Sequence, residues 1–113
     1  MSEKIKHCSV QDARQAVYLD PKNQFLDVRE KEEFDKIRIP NTIWIPLSKF
    51  EIEYLKLDKN SSVYIMCKLG QRSQIAAEFL ASKGFSDLYV IDGGLKAWVE
   101  AAYAFVGDKN AIK

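Results

Sequence analysis

The sequence predicts an α/β domain: a doubly wound, mostly parallel sheet of five strands with helices on both faces. Short apolar runs alternate with helical patterns along the chain, the order that parallel strands joined by crossover helices require. One run, "SVYIMC" at 62–67, is apolar without alternation, which marks a strand buried on both faces near the centre of the sheet. A length of 113 residues suits one domain over 1–113, with a core from about 3 to 106 and a tail over 107–113.

The elements follow in order. Ile5 to Cys8 reads as a short first strand, and Ser9 then caps a helix with Asp12 answering it in the first turn. "QFLDV" at 24–28 is the second strand, followed by a short polar helix over "EKEEFD" at 30–35. "TIWIP" at 42–46 is a third strand, stopped by Pro46. Ser48 and Glu51 have capping-box spacing, and Leu47 and Ile52 stand at the positions of a hydrophobic staple, so a helix is expected to run to about Leu57. After the central strand come a helix from about residue 73, a fifth strand "LYVID" at 88–92 and a last helix "GLKAWVEAA" at 94–102. The tail beyond shows no strong pattern.

Composition narrows the function classes. The chain is 47% hydrophobic, 29% charged and 12% aromatic, as in an ordinary globular protein. A net charge of +1 supplies no global field for nucleic acid or an anionic membrane, so neither is expected as a direct partner. With two cysteines, one histidine (His7) and no C-x-x-C, neither a disulfide framework nor a metal site is expected, and no cofactor is either. The first residues lack the apolar run of a signal peptide, and nothing approaches a membrane span, so a cytoplasmic location is expected.

In doubly wound sheets, ligands bind beyond the carboxyl ends of the strands. Cys67 and Asp27 both stand at such ends and are expected to share one rim. After Cys67 the chain turns into a helix within five residues, Lys68, Leu69, Gly70, Gln71 and Arg72, with Ser73 following. Gly70 frees the backbone in mid-loop. Loop amides and the positive end of the helix dipole then converge on one spot, which favours a negative charge there by up to about 2 kcal/mol. Lys68 and Arg72 add to that field. Electropositive, partly exposed surroundings of this kind suit a cysteine nucleophile that has no histidine base.

"CKLGQRS" resembles the active-site loop of the rhodanese family of sulfurtransferases. Three further stretches resemble that family in the same order: "LDVRE" at 26–30 with "EF" at 33–34, "RIPNTIWIP" at 38–46, and "DGGLKAW" at 92–98. The resemblance covers about residues 3–106 and implies a rhodanese-like fold. It also implies that Cys67 is the catalytic residue, accepting a sulfane sulfur as a persulfide. Lys68, Leu69, Gly70, Gln71, Arg72 and Ser73 would form the substrate-binding cradle, with Lys68 and Arg72 contacting an anionic donor or acceptor. Asp27 and Arg29 would brace the rim without reacting. Thiosulfate or a persulfide is the implied donor; a thiol, cyanide or a sulfur-relay protein is the implied acceptor.

Loop length separates this reading from a phosphatase or arsenate reductase. Those enzymes carry C-x5-R, whereas here Arg72 follows Cys67 after four residues. One residue is up to roughly 3.5 Å of contour, a large change for a ring that must enclose a tetrahedral oxyanion. The shorter ring suits a single sulfur atom. A regulatory or docking domain that keeps the cysteine as a redox or sulfur sensor is the other alternative. Asn41 stands where the family often has glycine and is expected to take a left-handed backbone angle. Trp44 and Trp98 read as core anchors, residues 30–33 as a solvated helix face, and Gly93-Gly94 as a tight turn near the rim.

Overall fold

The computed structural model describes residues 4–112. Residues 1–3 and 113, at the two ends of the expected domain, lie outside the described residues. Strands β1 (Ile5–Cys8), β2 (Gln24–Asp27), β4 (Ile43–Trp44), β5 (Val63–Met66) and β6 (Leu88–Ile91) form one sheet in the order β1-β6-β5-β2-β4. Every pairing in it is parallel. The strand expected at the centre is there.

Helices cover both faces, as the alternation of strands and helices required. On one face, Leu26 and Val28 and β5 residues Val63 and Ile65 pack with Ala76, Ala77 and Leu80 of α4 (Gln71–Ser82) and with Phe50 of α3 (Phe50–Glu53). On the other, Phe25, Tyr64 and Met66 pack with Val10 and Ala13 of α1 (Val10–Leu19) and with Leu95 and Trp98 of α5 (Gly94–Glu100). The period-two alternation of strand side chains sends Cys67 to the α4 face and Cys8 to the α1–α5 face. The two thiols are therefore on opposite sides of the sheet.

Several local expectations hold. Ser9 caps α1, its Oγ accepting the Asp12 N–H at 3.1 Å. Asn41 has φ 68°, the left-handed angle its short polar side chain tolerates. Trp98 is fully buried, while Trp44 is half-buried, stacked on Phe34 with its Nε1 donating to the Arg29 carbonyl.

Others are corrected. The capping box at Ser48 does not form, because Ser48 Oγ and its N–H both donate to the Glu30 carboxylate, at 2.6 and 3.0 Å. A charged acceptor reached across the fold outcompetes a local box. Ile52 is 77% exposed, so there is no staple, and residues 47–56 break into 3-10 turns on either side of the four-residue α3. The third strand is shorter than expected, a two-residue edge paired only with β2.

The patternless tail is also ordered. β7 (Val106–Gly107) pairs antiparallel with β3 (Ile37–Arg38), which directly follows α2 (Lys31–Lys36), and a 3-10 turn over Lys109–Ile112 buries Ile112. A two-residue strand is too short to show periodicity in sequence. If this segment belongs to the cooperative fold, Ile112→Ala will lower stability by about 2 kcal/mol, read as a lower urea midpoint with unchanged slope.

Candidate functional site

The site grows from the carboxyl end of β5. Met66 ends the strand, Cys67 follows it directly, residues 68–70 turn, and Gly70, at φ 118°, caps α4. That positive φ is why glycine occupies the position. It lets the Gly70 N–H turn back onto Cys67 Sγ, a donor–acceptor distance of 2.9 Å. The thiol is enclosed, only 1% exposed.

The start of α5 holds the loop in that shape. The first amides of a helix have no partner within it, and two of them here turn to the loop. Leu95 N–H donates to the Cys67 carbonyl at 2.8 Å and Lys96 N–H to the Lys68 carbonyl at 3.2 Å. Gly93 and Gly94 make the approach possible, with φ of 78° and 54°. A Cβ on Gly94 would collide with the Cys67 carbonyl and lie 2.6 Å from that of Lys68. The tight turn expected from the glycine pair is thus a main-chain clamp on the loop after Cys67.

Not every residue of the expected cradle faces the same way. Lys68 is half-buried, Leu69 is 49% exposed and Gln71 begins α4 at the surface. Ser73 is fully buried, its Oγ without a partner among the described residues. Arg72 does not point freely at an incoming anion. Its Nη1 and Nη2 donate to the two carboxylate oxygens of Glu33 at 2.6 and 2.8 Å.

Glu33 is the site residue that sequence reasoning missed. It stood in a run of charges that read as a solvated face, and the one hint was its place in the "EF" of the second motif. The hydrogen bonds from Arg72 hold the Glu33 carboxyl below the usual carboxylate range, and the same contact raises Arg72, with a smaller contribution from Cys67. Glu33 also accepts the Glu30 N–H at 3.1 Å and so helps close the start of α2.

Asp27 and Arg29, expected to brace the rim, pair with each other. Arg29 Nε and Nη2 donate to the Asp27 carboxylate, and Nη2 also donates to the Ile37 carbonyl at 2.7 Å. Both side chains are at least 98% buried. Cys8 takes no part in this arrangement. It is half-buried on the opposite face, and burial first, then the nearby Asp12 and Asp92, push its thiol up to about 11. His7 pairs with Asp92 at the surface, 2.7 Å apart. Among the described residues no cluster suited to a metal ion occurs, and no helix is long and apolar enough to cross a membrane.

A doubly wound domain whose central strand leads through a tight main-chain loop into a helix defines a class of α/β domains. Within that class, the family described as "Rhodanese-like domain" matches residues 9–101, and the chain belongs to that family. It is 35% identical over 94 residues to the "Putative sulfur carrier protein YrkF" of Bacillus subtilis, covering 83% of this chain but only about half, 51%, of that protein. It is 34% identical over 103 residues to the "Thiosulfate sulfurtransferase GlpE" of Pseudoalteromonas translucida, covering 88% of this chain and 93% of that one. The crystal structure of a rhodanese-related protein from Thermoplasma volcanium superposes with a TM-score of 0.79 at 28% identity, over 91% of this chain and 99% of that one.

Two measurements check the site's construction. Gly94→Ala will lower the Tm by about 10 °C, since it adds left-handed strain to a clash with two carbonyls the loop depends on. The Glu33–Arg72 pair has a pH signature. Glu33's folded value is depressed, so its stabilisation is present above the unfolded value of about 4.3 and is lost as pH falls through the lower folded value. Both side chains are about a third exposed, so Glu33→Gln will cost at most about 1 kcal/mol at neutral pH. By denaturant titration that difference from wild type will vanish in acid.

Proposed function

We infer that the protein is a sulfurtransferase that carries a sulfane sulfur on Cys67. The observation that carries this reading is the Gly70 N–H donating to Cys67 Sγ at 2.9 Å, within a loop whose outer carbonyls are held by α5. A main-chain donor aimed at sulfur stabilises negative charge there without a titrating base, as the thiolate and then the terminal sulfur of a persulfide both need. The names of the relatives point the same way.

The reaction runs in two steps. The Cys67 thiolate attacks the outer sulfur of thiosulfate or of a persulfide, and the leaving group departs as sulfite or thiolate with the electron pair of the broken S–S bond. A thiophilic acceptor (a thiol, cyanide or a sulfur-relay protein) then attacks the outer sulfur and returns Cys67 as thiolate. Cys67 is only 1% exposed, which shields the sulfur from bulk solvent. The Asp27–Arg29 pair fixes the end of β2, the strand beside the one from which the loop departs.

Incubation with thiosulfate will add one sulfur, about 32 Da, to the intact protein, and Cys67→Ser will abolish both the adduct and turnover to cyanide. A serine variant with full activity would refute the reading. A stable adduct with no turnover would point to a sulfur-holding or docking domain in place of an enzyme.

A further inference from the structure

Ser73 is fully buried, and its Oγ has no hydrogen-bond partner among the described residues. A helical serine commonly returns its proton to the carbonyl one turn back, but this one does not. Taking a hydroxyl out of water without a partner is costly, and native folds rarely leave one unpaired. An acceptor that arrives only in another state of the protein would settle that cost.

The position of Ser73 shows where such an acceptor stands. The residue shares the buried face of α4 with Ala76, Ala77 and Leu80, none of which has a polar side chain. Ala76 and Ala77 belong to the same packed cluster as Cys67. Helical side chains lean toward the helix N-terminus, over the turn before their own Cα. For Ser73 that turn starts at Gly70, whose N–H donates to Cys67 Sγ at 2.9 Å. The hydroxyl therefore leans toward the sulfur end of the helix, yet it makes no hydrogen bond to Sγ itself. A sulfur added to Cys67 lengthens that side chain by one S–S bond, about 2 Å.

We propose that Ser73 is a catalytic residue of the sulfur-loaded state, its Oγ donating to the outer sulfur of a Cys67 persulfide. The proposal rests on the persulfide reading and adds to it a side chain that tells the loaded form from the free one. Gly70 N–H meets Sγ before loading, whereas the Ser73 hydroxyl gains its partner only with the added atom. The hydrogen bond favours the loaded form and holds the sulfur on the protein until an acceptor attacks. Ser73 keeps its proton throughout.

Sulfur exchange with thiosulfate measures that preference. In the forward direction the outer sulfur passes to the Cys67 thiolate, and the S–S bond of thiosulfate breaks with its pair on sulfite. In reverse, the lone pair of sulfite takes the outer sulfur, and the persulfide bond breaks with its pair on Sγ. The full chain and its Ser73→Ala variant are equilibrated with thiosulfate and graded sulfite, and the adduct is read by intact mass. The variant should be half-discharged at about tenfold less sulfite than wild type. Its free form should unfold in urea at or above the wild-type midpoint, since only an unpaired group has been removed. An equal sulfite requirement in the two proteins would overturn the role of Ser73 and leave the persulfide reading standing. A clearly lower midpoint for the free variant would also overturn it, as the mark of a hydroxyl already paired. No adduct on the wild-type chain would refute the persulfide reading and this role together.

Discussion

The site depends on one main-chain contact, the docking of α5's first turn against the carbonyls of Cys67 and Lys68. A loop can turn an amide inward toward sulfur only if its carbonyls find partners on the outer side. Helix amides that would otherwise need capping supply those partners, so one packing event satisfies both ends. The geometry leaves no room for a side chain at Gly94. The shape of the loop after Cys67 is thus set as much by "DGGLKAW" as by "CKLGQRS", more than twenty residues earlier.

Charge around the rim is arranged in layers. Innermost is the buried Asp27–Arg29 pair, where losing one partner would leave a bare buried charge at a cost of about 3–5 kcal/mol. Next comes the partly exposed Arg72–Glu33 fork, which returns most of the arginine's charge to a carboxylate and ties α4 to α2. Lys68, on the loop itself, makes no salt bridge among the described residues. An approaching ligand therefore meets alternating charge in place of a uniformly positive funnel.

Much of this was legible in the sequence because it is local. The Ser9 cap, the left-handed Asn41 and the apolar run of β5 all follow from propensities acting within a few residues. The position of Cys67 at a strand end before a helix followed from the same reasoning. What escaped was held by partners far along the chain. Glu33 reads as solvated until α4 brings Arg72 to it, and Ser48 reads as a cap until Glu30 claims it. The pairing of Val106–Gly107 with Ile37–Arg38 is too short for any pattern to announce.

The strand order also governs when the fold can exist. β1 lies at an edge and pairs only with β6, Ile5 lying beside Leu88 in register. During synthesis the first strand must wait for nearly the whole chain to leave the ribosome before it finds its neighbour. Such distant parallel pairing delays cooperative folding. Meanwhile the nascent segment carries Cys8 uncovered, so for those seconds a thiol that the finished fold half-buries is open to oxidants.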